Sequence, residues 1–167
     1  MRPPCAMAKA ALCIGINDYP GVDHDLRGCV NDANDWAAAL ASRGFAVTML
    51  LDSQATKAAL VDGFRNLISA AKPGDTVAIS FSGHGTLVPD ASGDEIDGYD
   101  EALCPYDIQS GRALLDDEIH QIFAERARGV RLILLSDSCH SGTVTRNAPA
   151  DPAADDAARI QIGRAHV

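Results

Sequence analysis

Four short apolar runs alternate with helix-like segments along this chain, and that alternation restricts its fold more than any other feature. The runs cover residues 9–17, 45–51, 76–82 and 130–137. Each run is nearly continuous in apolar residues, which is typical of strands covered on both faces. With helices between them, such strands form a parallel sheet through right-handed crossovers. The sequence therefore predicts an α/β fold with helices on both faces of a mainly parallel sheet.

Two of the intervening segments carry clear helix signals. Residues 31–43 place apolar side chains on one face, and Gly44 is expected to close that helix. Thr56 is a predicted N-cap for a second helix, which the sequence Lys-Pro-Gly-Asp at residues 72–75 ends. The apolar stripes that define the two helices are Ala33, Trp36, Ala37 and Leu40 in the first, and Leu60, Phe64, Leu67, Ile68 and Ala71 in the second.

The chain between the third and the fourth apolar run is a long polar excursion, residues 87–111. Its portion from residue 90 to residue 107 is strongly acidic. Such a segment is most often a solvated loop, although clustered carboxylates also bind Ca²⁺, which takes six to eight oxygen ligands. We expect a third helix to follow, from Asp117 to about residue 128.

Length, charge and cysteine content exclude several functional classes. A chain of 167 residues, 47% of them hydrophobic, buries one core rather than two full domains. The net charge of −9 argues against nucleic acid or an anionic membrane as a partner and suits a basic substrate. Five cysteines without metal-ligand spacing predict reduced thiols and a cytoplasmic location. Neither a signal-peptide core nor a membrane-spanning apolar run is expected.

A thiol and an imidazole each follow a predicted strand. Cys139 lies in Leu-Ser-Asp-Ser-Cys-His-Ser-Gly after the fourth run, and His84 lies in Ser-Gly-His-Gly after the third. Catalytic groups gather at the carboxyl ends of parallel strands, so this pair predicts a thiolate nucleophile with a general acid and base. Gly83 and Gly85 are expected to let the backbone turn sharply and approach a substrate closely. The N–H groups of Gly85 and Cys139 are expected to face a developing oxyanion.

Each of these residues also has a simpler interpretation. A single Cys after an apolar strand is usually a small buried hydrophobe, and a single His beside glycine is usually a loop residue. His140, next to the nucleophile, is an alternative base, although neighbouring side chains at a strand end often point in opposite directions. The combination of thiol and imidazole at two strand ends favours catalysis with His84 as the base.

The two motifs resemble the catalytic motifs of the metacaspases and the bacterial caspase-like peptidases, the orthocaspases among them. Residues 12–17, Leu-Cys-Ile-Gly-Ile-Asn, and residues 26–33 look like the first strand and the following turn of that family. The resemblance covers about residues 10–145, the large catalytic subunit region. It implies a caspase-like three-layer sandwich with sheet order 2-1-3-4, and a cysteine endopeptidase that cuts after Arg or Lys.

The same resemblance implies a pocket for the substrate side chain before the cut. Asp32 and Asp137 would line this pocket, with Ser82 and Cys29 beside them. Two carboxylates suit a guanidinium, which binds them bidentately and stays charged. An N-cap role for Asp32 and a turn role for Asp137 are the alternatives that the residues leave open.

A calcium site is the third implication of the resemblance. Asp100 and the pair Asp116 and Asp117 match positions that bind the activating calcium ion in metacaspases. Arg146 departs from the pattern, because it stands where a further acidic ligand is expected and a cation there would repel or replace calcium. Asp116 has a helix-capping role as its alternative. Calcium dependence and calcium independence both stay open at this point.

Three other functional classes compete with this interpretation. A legumain-like or gingipain-like peptidase shares the His-Gly and strand-end Cys pattern, but the Asn31-Asp32 turn and the motif around Cys139 favour a metacaspase. A silent regulator on the same fold usually lacks the dyad, which is present here. A nucleotide-binding domain would need a Gly-x-Gly-x-x-Gly or Gly-x-x-x-x-Gly-Lys-Ser/Thr motif after strand one, and the chain has neither.

The end of the chain has a different character from the catalytic domain, which we assign to residues 8–146. Residues 147–161 are rich in Ala, Pro and Asp and predict a flexible linker. Residues 162–167 resemble one reading frame of a sequencing adapter. The two further strands of a caspase-like sheet have no counterpart after Asp137. We therefore expect an exposed apolar edge on strand four, self-association, and little peptidase activity without the small-subunit region.

Overall fold

A computed structural model of the protein describes residues 8–21, 25–89, 99–110 and 112–138. None of the helices in these stretches has the length and apolar character needed to cross a membrane. The strands and helices follow one another in the order β1 (Lys9–Gly15), α1 (Cys29–Ala41), β2 (Ala46–Leu51), α2 (Lys57–Ala70), β3 (Thr76–Ser82), β4 (Gly85–Pro89), β5 (Tyr99–Leu103), β6 (Leu114–Leu115), α3 (Asp116–Ala124) and β7 (Arg131–Asp137).

The main sheet of the described residues is parallel, with strands in the order β2-β1-β3-β7. This confirms the predicted order 2-1-3-4, because β7 is the fourth apolar run. The register brings the carboxyl ends of the strands level with one another. Ser82 pairs with Gly15 on one side and with Asp137 on the other, and Gly15 also pairs with Leu51. Loops that leave these four ends therefore start from one edge of the sheet.

Helices cover both faces of this sheet, as the sequence predicts. Successive side chains of β1 point to opposite faces. Ala11 and Cys13 pack in one cluster with residues of α1, and Leu12 and Ile14 pack in a second, larger cluster with residues of α2 and α3. The helical residues of these clusters are Ala33 and Leu40 on one side, and Leu60, Phe64, Ile68, Ile119, Ile122 and Phe123 on the other. The result is a three-layer sandwich.

Two predicted helix-end signals are confirmed. Gly44 has a φ of 82°, and the N–H of Phe45 donates to the carbonyl of Leu40 over 3.1 Å, which is the pattern of a glycine-terminated helix. Thr56 caps α2, because its Oγ1 accepts a hydrogen bond from the N–H of Ala59 over 3.3 Å.

The start of α1 differs from the prediction. The helix begins at Cys29, two residues before the expected start, and its N-cap is Gly28 with a φ of 110° and no side-chain cap. Asp32 therefore lies inside the first turn, and the N-cap interpretation of Asp32 is wrong. A carboxylate in this turn is still favourable, because the helix macrodipole is positive there.

The polar excursion contains regular structure that the sequence does not predict. β4 and β5 form an antiparallel hairpin, and β6 pairs with the other edge of β5. α3 then begins at Asp116 and ends at Ala124, about four residues earlier than predicted. Its N-cap is Leu115, so the capping interpretation of Asp116 is wrong.

Candidate active site

The level strand ends form the edge where the sequence predicts catalytic residues. His84 follows Ser82 by two residues, in the connection from β3 to β4. Cys139 follows Asp137 by two residues along the chain. Cys139 and the alternative base His140 lie outside the described residues, so their dyad roles stay predictions.

The backbone of His84 is fixed by Tyr19 and Cys104. The N–H of His84 donates to Tyr19 Oη over 3.0 Å, and the His84 carbonyl accepts from the N–H of Cys104 over 2.9 Å. The Tyr19 hydroxyl donates to the carbonyl of Cys104 over 2.9 Å. Tyr19 could not be predicted from the sequence, because a single aromatic residue in a loop far along the chain from His84 gives no periodic or motif signal.

Glycine at position 83 is required by a contact within the protein, and its close approach to a substrate stays a prediction. Its backbone is not in the left-handed region, so a sharp glycine-only turn is not what requires it. A Cβ at this position would lie 2.8 Å from Tyr19 Oη and 3.0 Å from Cζ of Phe81. Glycine is required for this close approach. Gly85, the predicted oxyanion residue, is half-buried and begins β4 opposite Leu103, and its role stays a prediction.

The four residues predicted for the substrate pocket lie together. The Ser82 hydroxyl donates to Oδ2 of Asp32 over 3.0 Å, and Ser82 pairs with Asp137 across the sheet. Burial raises the pKa of the Cys29 thiol, a hydrogen bond with Ser82 lowers it, and the nearby carboxylates of Asp32 and Asp137 raise it. Cys29 is therefore a neutral thiol beside two negative charges. Such a group of side chains suits a cationic ligand, although its role as a pocket stays a prediction.

The position of α1, which supplies Asp32, depends on close contacts with the end of β1. A Cβ on Gly15 would lie 2.4 Å from the carbonyl oxygen of Cys29, so only glycine allows this approach. Oδ1 of Asn17 accepts a hydrogen bond from the N–H of Val30 over 3.2 Å. Oδ1 of Asp52 in turn accepts from the N–H of Asn17 over 2.8 Å. These contacts tie the first turn of α1 to the sheet edge.

The three residues predicted to bind calcium also lie near one another. Asp100 and Asp116 are buried. Burial raises the pKa of Asp116, the N–H of Asp117 lowers it by hydrogen bonding, and the charges of Asp117 and Asp100 raise it. Carboxylates this close suit a hard cation.

A complete metal site is nevertheless not formed by the part of the chain that the structure describes. No three Asp, Glu, His or Cys side chains in it are arranged to hold one ion. Arg146 and residues 90–98, the first half of the acidic segment, lie outside the described residues. Calcium binding therefore stays a prediction.

Comparison with known proteins identifies the family. The family model described as metacaspase, peptidase C14 domain matches residues 9–147. Metacaspase-1B of Aspergillus fumigatus is 41% identical over 150 aligned positions, which cover 83% of this chain and 36% of the relative. Metacaspase-1A of Aspergillus clavatus is also 41% identical, with 83% of this chain and 35% of the relative covered. The chain thus spans about a third of the length of these relatives.

A solved structure agrees with the fold. The crystal structure of protein GSU0716 from Geobacter sulfurreducens matches with a TM-score of 0.70 and 43% sequence identity, over 82% of this chain and 52% of that chain. The parallel sheet and its covering helices therefore form a caspase-like α/β fold. The match of residues 9–147 and the identity to named metacaspases lead to one conclusion: the chain belongs to the metacaspase family of the peptidase C14 class.

Proposed function

We propose that this chain carries the catalytic centre of a cysteine endopeptidase that cleaves after Arg, and more weakly after Lys, with Cys139 as nucleophile and His84 as base. The register of β3 and β7 carries this proposal. Ser82 and Asp137 are paired at the ends of neighbouring parallel strands, and each dyad residue follows its strand end by two positions. Neighbouring strands lie about 4.8 Å apart, so the two strand ends that precede the dyad residues lie side by side.

The proposed reaction is acyl transfer through a thioester. His84 takes the proton of the Cys139 thiol, and the sulfur attacks the carbonyl carbon of the scissile peptide. The C–S bond forms while the carbonyl π electrons move to oxygen, where the N–H groups of Gly85 and Cys139 stabilise the negative charge. The C–N bond then breaks, and the imidazolium gives its proton to the leaving amine. Water, deprotonated by His84, hydrolyses the thioester and restores the thiol.

Specificity for Arg is proposed to come from Asp32 and Asp137. The hydrogen bond from Ser82 to Asp32 and the influence of both carboxylates on Cys29 support a single group with two negative charges. A guanidinium binds a carboxylate through two parallel hydrogen bonds, whereas an ammonium acts as a point charge, so Arg is favoured over Lys. The net charge of −9 also favours basic substrates.

A reducing compartment suits this chemistry, because the nucleophile must remain a thiol or thiolate. Cys13 and Cys29 are buried free thiols in the described part of the chain. We therefore propose the cytoplasm as the site of action.

Covalent labelling tests the function. The protein is tested together with its small-subunit region, because little activity is expected without that region. It is treated with a peptidyl-Arg chloromethyl ketone and with the matched peptidyl-Asp reagent, and the modified residue is located by mass spectrometry. We expect saturable labelling of Cys139 by the Arg reagent only, because the pocket is anionic. Cys139→Ala should abolish the labelling, and Cys5→Ala is the matched control.

The same reaction tests the base. His84→Ala should slow the labelling by at least about 100-fold, the range for loss of a general base, whereas His140→Ala should leave it nearly unchanged. Preferential labelling by the Asp reagent would refute the proposed specificity. Loss of labelling in His140→Ala with full labelling in His84→Ala would refute the dyad.

A further inference from the structure

The connection that carries His84 is held by a closed set of three hydrogen bonds. The His84 N–H donates to Tyr19 Oη over 3.0 Å, and the Tyr19 hydroxyl donates to the Cys104 carbonyl over 2.9 Å. The Cys104 N–H donates to the His84 carbonyl over 2.9 Å. Both backbone polar groups of His84 are therefore engaged, and Tyr19 supplies the side chain that completes the set.

Tyr19 also contacts the imidazole. The centroids of the two rings lie 5.0 Å apart with an interplanar angle of 49°, which is a favourable tilted arrangement. The tyrosine is only 5% exposed, and burial raises the pKa of its hydroxyl. The hydroxyl therefore keeps its proton at neutral pH and accepts one hydrogen bond while it donates another, an arrangement in which each bond strengthens the other.

The surrounding chain is built to hold this tyrosine in place. A Cβ on Gly83 would lie 2.8 Å from Tyr19 Oη, so glycine at this position makes room for the hydroxyl. The N–H of Tyr19 donates to Oδ1 of Asp25 over 3.2 Å. The N–H of Asp18 donates to Oδ1 of Asp52 over 3.1 Å. Tyr19 is thus anchored to the loop after β1, independently of the connection that carries His84.

We propose that Tyr19 is a positioning residue for the dyad, whose hydroxyl holds His84 at the distance and angle needed to exchange a proton with Cys139. This inference rests on the proposed function of His84 as the base. Proton transfer requires the imidazole within hydrogen-bond reach of the thiol. A displacement of about 1 Å in such a site costs on the order of 100-fold in rate. A phenol that fixes the backbone of the base and packs on its ring controls that distance.

Tyr19→Phe is the test, because it removes the hydroxyl and keeps the ring. The rate constant of Cys139 modification at saturation, kinact, and the half-saturating concentration, KI, are measured with the peptidyl-Arg chloromethyl ketone. We expect kinact to fall about tenfold or more, which corresponds to about 1.4 kcal/mol, and KI to change less than about twofold. The control is Tyr106→Phe, a half-buried tyrosine whose hydroxyl makes no hydrogen bond to the described residues, and it should leave both constants unchanged.

The split between kinact and KI separates positioning from general stability. A purely structural role would lower the melting temperature and the fraction of protein that reacts, but kinact of the folded fraction would equal that of the unchanged chain. Equal kinact in Tyr19→Phe and Tyr106→Phe would overturn the inference. Labelling of Cys139 in both variants would at the same time still support the proposed function.

Gly83→Ala gives a second variant, because its Cβ displaces the Tyr19 hydroxyl. Its effect on kinact should be less than additive with that of Tyr19→Phe.

One measurement is independent of catalysis. Hydrogen exchange at the His84 amide, followed by NMR in the Cys139→Ala chain, should become at least about tenfold faster when Tyr19 is changed to Phe, because the N–H loses its acceptor. Unchanged exchange would contradict the inference whether or not the chain reacts with the Arg reagent. Absence of labelling in the unsubstituted protein with its small-subunit region would refute the proposed function. Faster exchange in Tyr19→Phe would in that case still support the hydrogen bond from His84 to Tyr19.

Discussion

The hydroxyl of Ser82 donates a hydrogen bond to Oδ2 of Asp32 over 3.0 Å, from the end of β3 to the first turn of α1. The bond joins two elements that are fifty residues apart in sequence. The bond turns the carboxylate of Asp32 toward the end of β3. Asp137 lies at the same edge of the sheet, because it pairs with Ser82. Two carboxylates are thereby placed beside the connection that carries His84.

Asp32→Asn should weaken recognition of Arg without unfolding the chain. The amide oxygen still accepts from Ser82, but the negative charge is lost. We expect KI for the peptidyl-Arg reagent to rise about 10- to 150-fold, equivalent to the ~1.5–3 kcal/mol of a hydrogen bond to a charged group. Asp35→Asn, an exposed residue on the same helix, removes one charge as a control. Equal KI values for the two variants would exclude Asp32 from the substrate pocket.

Gly15→Ala and Gly63→Ala should differ sharply in stability. The added Cβ at residue 15 meets the fixed backbone of Cys29 at 2.4 Å, and we expect a loss of about 3 kcal/mol or more from overpacking. The added Cβ at residue 63 would lie 2.8 Å from the tip of the Leu12 side chain and 3.9 Å from that of Leu50, and it would meet no backbone atom of the described residues outside its own helix within 4 Å. Alanine is also favoured over glycine in a helix by ~1 kcal/mol, so this variant should stay within about 1 kcal/mol of the unchanged chain.

Urea unfolding of the two variants measures the difference, with the slope m as a check that the same surface is exposed. If Gly15→Ala proved as stable as Gly63→Ala, the backbone contact between β1 and α1 would be looser than the structure describes.

The two central strands of the main sheet could be predicted from the sequence because both of their faces are covered. β1 and β3 are almost entirely buried, so their apolar runs are continuous and easily recognised. β4 has no such signal, since its residues are partly exposed and end in a proline. β6 contains only two residues. Pairing with neighbouring strands, and not local composition, determines these short elements.

Part of the candidate site was predictable for the same reason. Ser82 and Asp137 end apolar runs, and Asp32 lies in a motif that resembles a known family. Tyr19 has no comparable signal, because its role depends on contacts with His84 and Cys104, which lie 65 and 85 positions further along the chain. Such contacts form only when the fold brings the loop that follows β1 against the connection that follows β3.

The ion pair between Lys57 and Glu118 should contribute a modest, salt-dependent stability. Lys57 Nζ lies 2.7 Å from Oε2 of Glu118 and also donates to the carbonyl of Ala113 over 2.8 Å, which joins α2 to α3. A double-mutant cycle with Lys57→Met and Glu118→Gln should give a coupling of about 0.5–1 kcal/mol, because both side chains are partly exposed.

Chemical unfolding at low salt and in 1 M NaCl measures this coupling, and it should decrease at high salt because the pair is screened. Arg65→Met, an exposed cation on α2, controls for the loss of one positive charge. A coupling that does not change with salt would show that packing, and not charge, joins the two helices at this point.

The carboxylate of Asp75 should make the stability of the chain depend on acid pH. Hydrogen bonds from the N–H groups of Lys72, over 2.9 Å, and Ala8, over 2.8 Å, lower the pKa of Asp75 below its ordinary value of 3.8. In the unfolded chain this carboxyl regains its ordinary pKa, so the folded state binds the proton less tightly than the unfolded state does. The stabilisation is therefore complete above about pH 4 and is lost as the pH falls through the lower, folded-state value.

Asp75→Asn removes the titrating group, and Asp62→Asn, an exposed residue on α2, controls for the loss of one negative charge. The difference in free energy of unfolding between the unchanged chain and Asp75→Asn, measured with urea at several pH values from 7 to 2.5, should be largest at neutral pH and shrink below pH 3.8. A difference that stayed constant over this range would mean that the carboxylate does not favour the folded state through its charge.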